Sequence, residues 1–298
     1  MIMSIGALFL KRTAILCAAF FSVAAAAAEK VPQHFKPSGP WAMEYADEGC
    51  RLIRNFSDGK TELTLAFERF SLGLWLRLGL TGTDLRFARS GSDLEYRYGD
   101  AKVRRSEVLD SVLADGRSAI LVPEASLIDP KETSGLVGAP LPDILKAETD
   151  TASRISTVTF FKGYGTPIAL DVGSMAAPMK AMQRCVDDLV TSWGVDIARL
   201  VNSKQPAKPM NDPVGWVAPR DYPPTMLKAG LGGLVRVRLV IGENGAIDKC
   251  MVEVSKPGDF EKLVCGNIVK RAKFTPALDA EGKPMRSYWT RSWRFSTF

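Results

Sequence analysis

The chain has 298 residues, 46% of them hydrophobic and 24% charged, with a formal net charge of +6 and one histidine. That length accommodates more than one hydrophobic core. The lone histidine nearly excludes serine and cysteine hydrolase triads, five cysteines without a Cys-x-x-Cys spacing argue against a metal site, and the mild basicity selects no partner class.

Residues 1–28 read as a secretory signal: Lys11-Arg12 form a basic start, Thr13–Val23 an apolar stretch, and Ala24–Ala28 small-residue cleavage options, with Glu29 as the expected first mature residue. The alternative is a retained membrane anchor, although the apolar run is short against the roughly 20 residues of a bilayer span. Leu16 before Cys17 argues against lipid attachment there. Cleavage removes Lys11 and Arg12, taking the charge from +6 to +4. Residues 29–40, with Pro32, Pro37 and Pro40, read as an extended lead-in that carries the bystander His34.

Residues 41–200 read as one α+β domain, rich in antiparallel sheet and closed by a C-terminal helix. Arg51–Phe56, Glu62–Phe70 and Leu74–Leu80 alternate or run apolar between turn residues, the pattern of a meander. Leu94–Tyr98, Ser118–Val122 and Ile155–Phe161 are further strands; Val103–Ala114 and Leu141–Glu148 read as helical. Met175–Trp193 is the clearest helix, with Met179, Met182, Val186, Leu189, Val190 and Trp193 as a core-facing stripe. Chemistry is sparse. Asp150-Thr151-Ala152 and Asp171-Val172-Gly173 are not the Asp-Thr/Ser-Gly of aspartic proteases, and Asp187-Asp188 are helix neighbours that face different ways. Gly163-Tyr164-Gly165 lacks the strand-to-helix setting of a phosphate loop, and Ser90-Gly91-Ser92 reads as an ordinary loop. No catalytic residue, cofactor site or enzyme activity is expected.

Residues 201–220, with Pro206, Pro209, Pro213 and Pro219, read as a linker. Fully extended it would reach at most about 60 Å. Residues 221–298 then give the order helix, strand, strand, helix, strand. Thr225–Ala229 is a short helix after Asp221-Tyr222-Pro223-Pro224 and is closed by Gly230. In Leu234–Ile241, Val235, Val237, Leu239 and Ile241 alternate with Arg236, Arg238 and Val240, predicting a strand with one buried face. Asn244-Gly245 predicts a type I′ hairpin turn into Ala246–Val254. A helix through Phe260, Leu263, Val264, Ile268 and Val269 and a last strand over Met285–Phe295 complete the domain. Arg286, Arg291 and Arg294 among Tyr288, Trp289 and Trp293 read as solvated arginines on an aromatic core face, not as a nucleic-acid patch.

This last segment resembles the C-terminal domain of TonB-type energy transducers. The resemblance runs from Tyr222-Pro223, Gly230 and Gly233 through Val235, Val237, Gly245, Val252 and Ser255 to Phe274-Thr275-Pro276-Ala277, Gly282, Pro284 and Phe295. It implies a small α-β-β-α-β domain in the periplasm that grips a segment of an outer-membrane transporter by strand pairing at a sheet edge, without catalytic residues. The edge read from it is Met285–Phe295, with Tyr288, Thr290, Arg291, Ser292 and Arg294 as binding residues. Arg291 would point inward and discourage promiscuous pairing. A short spacer behind a folded domain, together with a cleaved signal, departs from the long spacer of a force-transmitting chain.

Four cysteines remain after cleavage in an oxidising compartment, and three pairings are possible. Cys250 lies on the inner face of the return strand and Cys265 on the helix that covers it, so these two pair; Cys50 and Cys185 follow by elimination. The expected function is that of a periplasmic adaptor that docks a partner peptide. The alternatives are an anchored energy transducer, if residues 1–28 are retained, or an enzyme with an unrecognised site in residues 41–200.

Overall fold

The computed structural model describes residues 31–298 apart from 84, 86–92, 114, 162–165, 222–223, 225–227, 229–232, 255–257 and 296–298. The signal, Ser90-Gly91-Ser92, Gly163-Tyr164-Gly165 and the helix expected over Thr225–Ala229 lie wholly or mainly outside the described residues. The chain is mixed α+β, with a large sheet and a small C-terminal one.

The first part runs β1 (Gln33–Pro37), β2 (Ala42–Ala46), β3 (Gly49–Ser57), β4 (Glu62–Arg69), β5 (Leu76–Gly82), β6 (Asp93–Tyr98), β7 (Arg104–Glu107), β8 (Leu109–Val112) and β9 (Ser118–Ala125). It continues with α1 (Pro130–Leu136), α2 (Leu141–Arg154), β10 (Val158–Phe160), β11 (Ile168–Leu170), α3 (Ala176–Ser192) and α4 (Ile197–Val201). These strands form one sheet of order β7-β6-β10-β11-β1-β3-β4-β5-β9-β8, with β2 also on β3. The antiparallel meander β3–β4–β5 is as the alternation predicts.

Two expectations give way. Val103–Ala114 is not a helix: β7 ends one border of the sheet and β8 the other, joined by the buried Val108. Because one residue separates them, the two borders lie close together and the sheet curls back on itself. Arg104 explains the override of the helical pattern. Its side chain is buried, bonds the Ser126 and Leu127 carbonyls, and lies 4.8 Å over the Tyr98 ring. The lead-in, in turn, is a strand well inside the sheet. β1 pairs parallel with β11 and antiparallel with β3, and buries Phe35.

On the inward face, Leu52, Phe67, Leu78 and Val122 stand opposite one another on successive strands. The stripe of α3, including Met179, Met182, Val186 and Val190, shares their core. A disulfide between Cys50 and Cys185 ties α3 to β3. The buried Arg69 makes a two-pronged ion pair with Glu148 of α2.

The second part runs β12 (Lys208–Pro209), β13 (Gly233–Ile241), β14 (Ile247–Val254), α5 (Gly258–Arg271), β15 (Phe274–Thr275), β16 (Ala277–Leu278), β17 (Pro284–Met285) and β18 (Ser287–Phe295). Residues 201–220 are no free spacer. Gln205 bridges Leu278, β12 pairs with β15, and Trp216 is buried against Phe274, Trp289 and Trp293. Asn211 fastens the stretch further: its amide donates to the Arg271 carbonyl while its oxygen accepts from Lys273 N–H and Trp216 Nε1. Residues 31–298 form one compact unit.

Candidate docking edge

The C-terminal sheet has the order β14-β13-β18. Its hairpin loop is not the two-residue type I′ turn expected. Gly242 N–H bonds the Ala246 carbonyl, Gly245 N–H bonds the Gly242 carbonyl, and Gly245 has φ +78°. That is a three-residue loop ending in a left-handed glycine, and the β13–β14 register shifts beside it. A Cβ on Gly245 would lie 2.3 Å from the Phe274 carbonyl oxygen, so a side chain is excluded here twice over. A disulfide joins Cys250 of β14 to Cys265 of α5, as the faces predict.

The strand pattern of β13 predicts one buried face, but both are buried. Val235, Val237 and Leu239 lie under α5 with Val264 and Ile268. Arg236, Arg238 and Val240 face the first part of the chain and are buried as well. Arg238 places its guanidinium 3.7 Å over the Trp193 ring at the end of α3 and pairs with Glu48 from the β2–β3 turn. A cation over an indole and held by a carboxylate tolerates burial that an isolated one would not.

Along β18 the register with β13 is unbroken from Ile241↔Ser287 to Gly233↔Phe295. Among the described residues β18 has this one strand neighbour, so its outer side is a sheet border. Opposed residues share a face. Trp289, Arg291 and Trp293 therefore sit with Leu239, Val237 and Val235 on the α5 side, and Tyr288, Thr290 and Ser292 sit with Val240, Arg238 and Arg236 on the other. The five expected binding residues thus share a backbone run but not a face. The Tyr288 hydroxyl donates to the Leu72 carbonyl at 3.0 Å, and its ring meets Trp193 edge-on at 5.3 Å. Arg291 lies 5.8 Å from the Trp293 ring centroid, on the α5 side of the sheet. Thr290 and Ser292 are half-buried, and Arg294 stands opposite Leu234. Arg286, read as solvated, donates to the Trp193 carbonyl at 3.1 Å and pairs with Asp248 at 3.1 Å.

Two carboxylates tie neighbouring segments to the small sheet's domain. Arg199 of α4 reaches Asp279 at 2.7 Å, and Arg271 of α5 reaches Asp221. The Arg199 hydrogen bond, helped by Lys283 N–H, holds the Asp279 carboxyl below the usual range. The Arg271 hydrogen bond, with Ala218 N–H, does the same for Asp221. Glu48, Leu72 and Trp193, which cover the second face of the sheet, were invisible to residue-by-residue reading. The available signal was Val240, an apolar residue on the face assigned to solvent.

Residues 218–297 match the family model for the Gram-negative bacterial TonB protein C-terminal. This segment is a TonB C-terminal-like domain. No curated protein matches the chain. The domain match covers β13, β14, α5 and β18 and begins within residues 201–220, two residues after the buried Trp216. Among the described residues no three His, Cys, Asp or Glu side chains gather to hold a metal ion, and no helix is long and apolar enough to cross a membrane.

Proposed function

We propose that the chain is a periplasmic binding protein that captures an extended segment of an envelope partner, an outer-membrane transporter segment in particular, by strand addition along β18. The observation that carries this reading is a nine-residue border strand, paired on one side, in a TonB C-terminal-like domain. Strand addition takes its affinity from backbone hydrogen bonds and its register from alternate side chains. On β18, Trp289 and Trp293 already pack against Trp216, and Tyr288 is bonded to Leu72, so these side chains are engaged before any partner arrives. The affinity then resides in main-chain groups, not in reshaped side chains.

The role is docking, not bond-making. The surface pair of His34 with Asp171, at 2.8 Å, has no hydrogen-bonded serine, threonine or cysteine among the described residues. Asp187, whose carboxyl is raised by burial, accepts from Gln183 on its own helix.

The test compares the chain from Glu29 onward with its Thr290→Pro variant. Proline removes a donor from the middle of the border strand. Each is used to capture detergent-solubilised envelope proteins, with circular dichroism as the check on folding. The expected outcome is an outer-membrane transporter retained by the parent and lost by the folded variant. Equal capture by both would remove β18 as the docking edge.

A further inference from the structure

A groove of about 460 Å³ lies far along the chain from the docking edge, between the inward face of β2–β3 and the first turns of α3. Its floor is Leu52 with Trp41 and Met43, and its wall on the helix side is made of the small residues Ala177 and Ala181. One charged side chain lines it, Arg54. That guanidinium is fixed: Nε donates to the Gly39 carbonyl at 2.8 Å and one Nη to the Val172 carbonyl at 3.0 Å. It also lies 5.6 Å from the Trp41 ring and 5.9 Å from the Phe56 ring.

Like the buried Arg104, which bonds backbone carbonyls, Arg54 differs from most arginines of the large sheet in its counter-charge. Arg51 and Arg77 of the same sheet share Glu68, Arg69 has Glu148, Arg105 has Glu95 and Arg117 has Asp115. Arg54 has no carboxylate within ion-pair distance among the described residues, and the nearby Asp171 is turned to His34. Burial alone lowers its pKa, with no anion to offset it. Its second Nη meets no hydrogen-bond acceptor among the described residues. A half-buried, immobilised cation at an otherwise uncharged, mostly apolar groove is complementary to one chemistry: a single negative charge on an apolar body. The volume falls within the range of small-ligand sites, about 300–1,000 Å³.

We infer that this groove binds a small carboxylate amphiphile, of the medium-chain fatty-acid class, with its head on Arg54 and its tail over Trp41, Met43 and Leu52 against α3. The inference does not depend on strand addition at β18. Bidentate capture is open to a carboxylate through the remaining N–H groups of the guanidinium, and tail burial supplies the larger part of the affinity.

The test is calorimetric titration of the chain from Glu29 onward with sodium decanoate, with decanol and an N-acetylated tripeptide carboxylate as comparisons. Decanoate should bind saturably at one site, and Arg54→Gln should weaken it about tenfold or more while leaving decanol unaffected. Ala181→Phe, which fills the groove from the helix side, should abolish binding with an unchanged melting temperature; it carries the test should Arg54→Gln not fold. Absence of saturable decanoate binding overturns the proposal. So does equal binding by Arg54→Gln, or by Ala181→Phe, or a preference for the tripeptide, which would assign the groove to a peptide terminus instead.

Discussion

Arg238 is the residue whose surroundings differ most from what its sequence position suggests. It alternates with valines and a leucine on a strand, the usual place for a solvated cation, yet it is fully buried against Trp193 and Glu48. Removing one partner of a buried pair leaves a charge that the interior cannot solvate. Glu48 is partly exposed, which screens the pair, so Glu48→Gln should cost about 1–2 kcal/mol in a denaturant titration. Arg238→Met combined with Glu48→Gln should recover much of that, because an apolar side chain of similar length keeps the contact with Trp193. A double variant clearly worse than Glu48→Gln alone would mean that Arg238 contributes more than a tolerated charge. Asp279 gives a prediction in pH. Its carboxyl is held below the ordinary aspartate value of about 3.9, so its contribution to stability is present above that value and is lost as pH falls through the folded pKa. Asp279→Asn should therefore lower the melting temperature at pH 6, and the gap to the parent should narrow as pH falls below the ordinary aspartate value. A gap of the same size throughout would count against the Arg199 pairing.

At the level of single elements, the β13–β14 hairpin shows what was legible and what was not. The alternation, the turn position and the facing cysteines all stand in the sequence. The turn type does not, because Asn244-Gly245 suits both a two-residue loop and the three-residue loop observed. Phe274 decides between them in space: its carbonyl closes on Gly245, which no local pattern reports. Gly245→Ala should accordingly cost about 2 kcal/mol or more, whereas Gly282→Ala, also at positive φ but with open space around it, should cost roughly 1 kcal/mol. Equal losses in chemical denaturation would show that backbone strain alone matters at both turns. The disulfide from Cys250 to Cys265 closes a separation of 15 residues and contributes about 3 kcal/mol in the chain-entropy account. By the same account the bond from Cys50 to Cys185, across 135 residues, contributes roughly 5 kcal/mol. Val103–Ala114 was misread although its partners are its neighbours in the chain. Its apolar residues fit a helical period, but β7 folds back on β6 and β8 pairs with β9 as local hairpins.

For the molecule as a whole, two domains and a spacer were expected, whereas residues 31–298 form one compact unit whose joining was not legible. Proline-rich composition marked residues 201–220 as a connection, and Trp216 within it was the clue that the connection folds. The small sheet then has two covers: α5 on one side, and the Trp193 end of α3 with the β2–β3 turn on the other. A fragment of residues 221–298 retains only the first cover and exposes Arg238 and Val240. We expect it to melt about 10 °C or more below the same segment within the whole chain, by calorimetry or hydrogen exchange. Indistinguishable melting would mean that the second cover contributes little.

The parallel pairing of β1 with β11 sets a timetable for the nascent polypeptide. Gln33 is paired with Ile168, so the first strand to be synthesised waits for a neighbour made 135 residues later. Until then the hairpins β3–β4 and β4–β5 are free to zip up locally, while β1 has only its short pairing with β3, Lys36↔Ser57 and Pro37↔Phe56. The seam between β1 and β11 therefore closes only after every other described strand of the large sheet has been made.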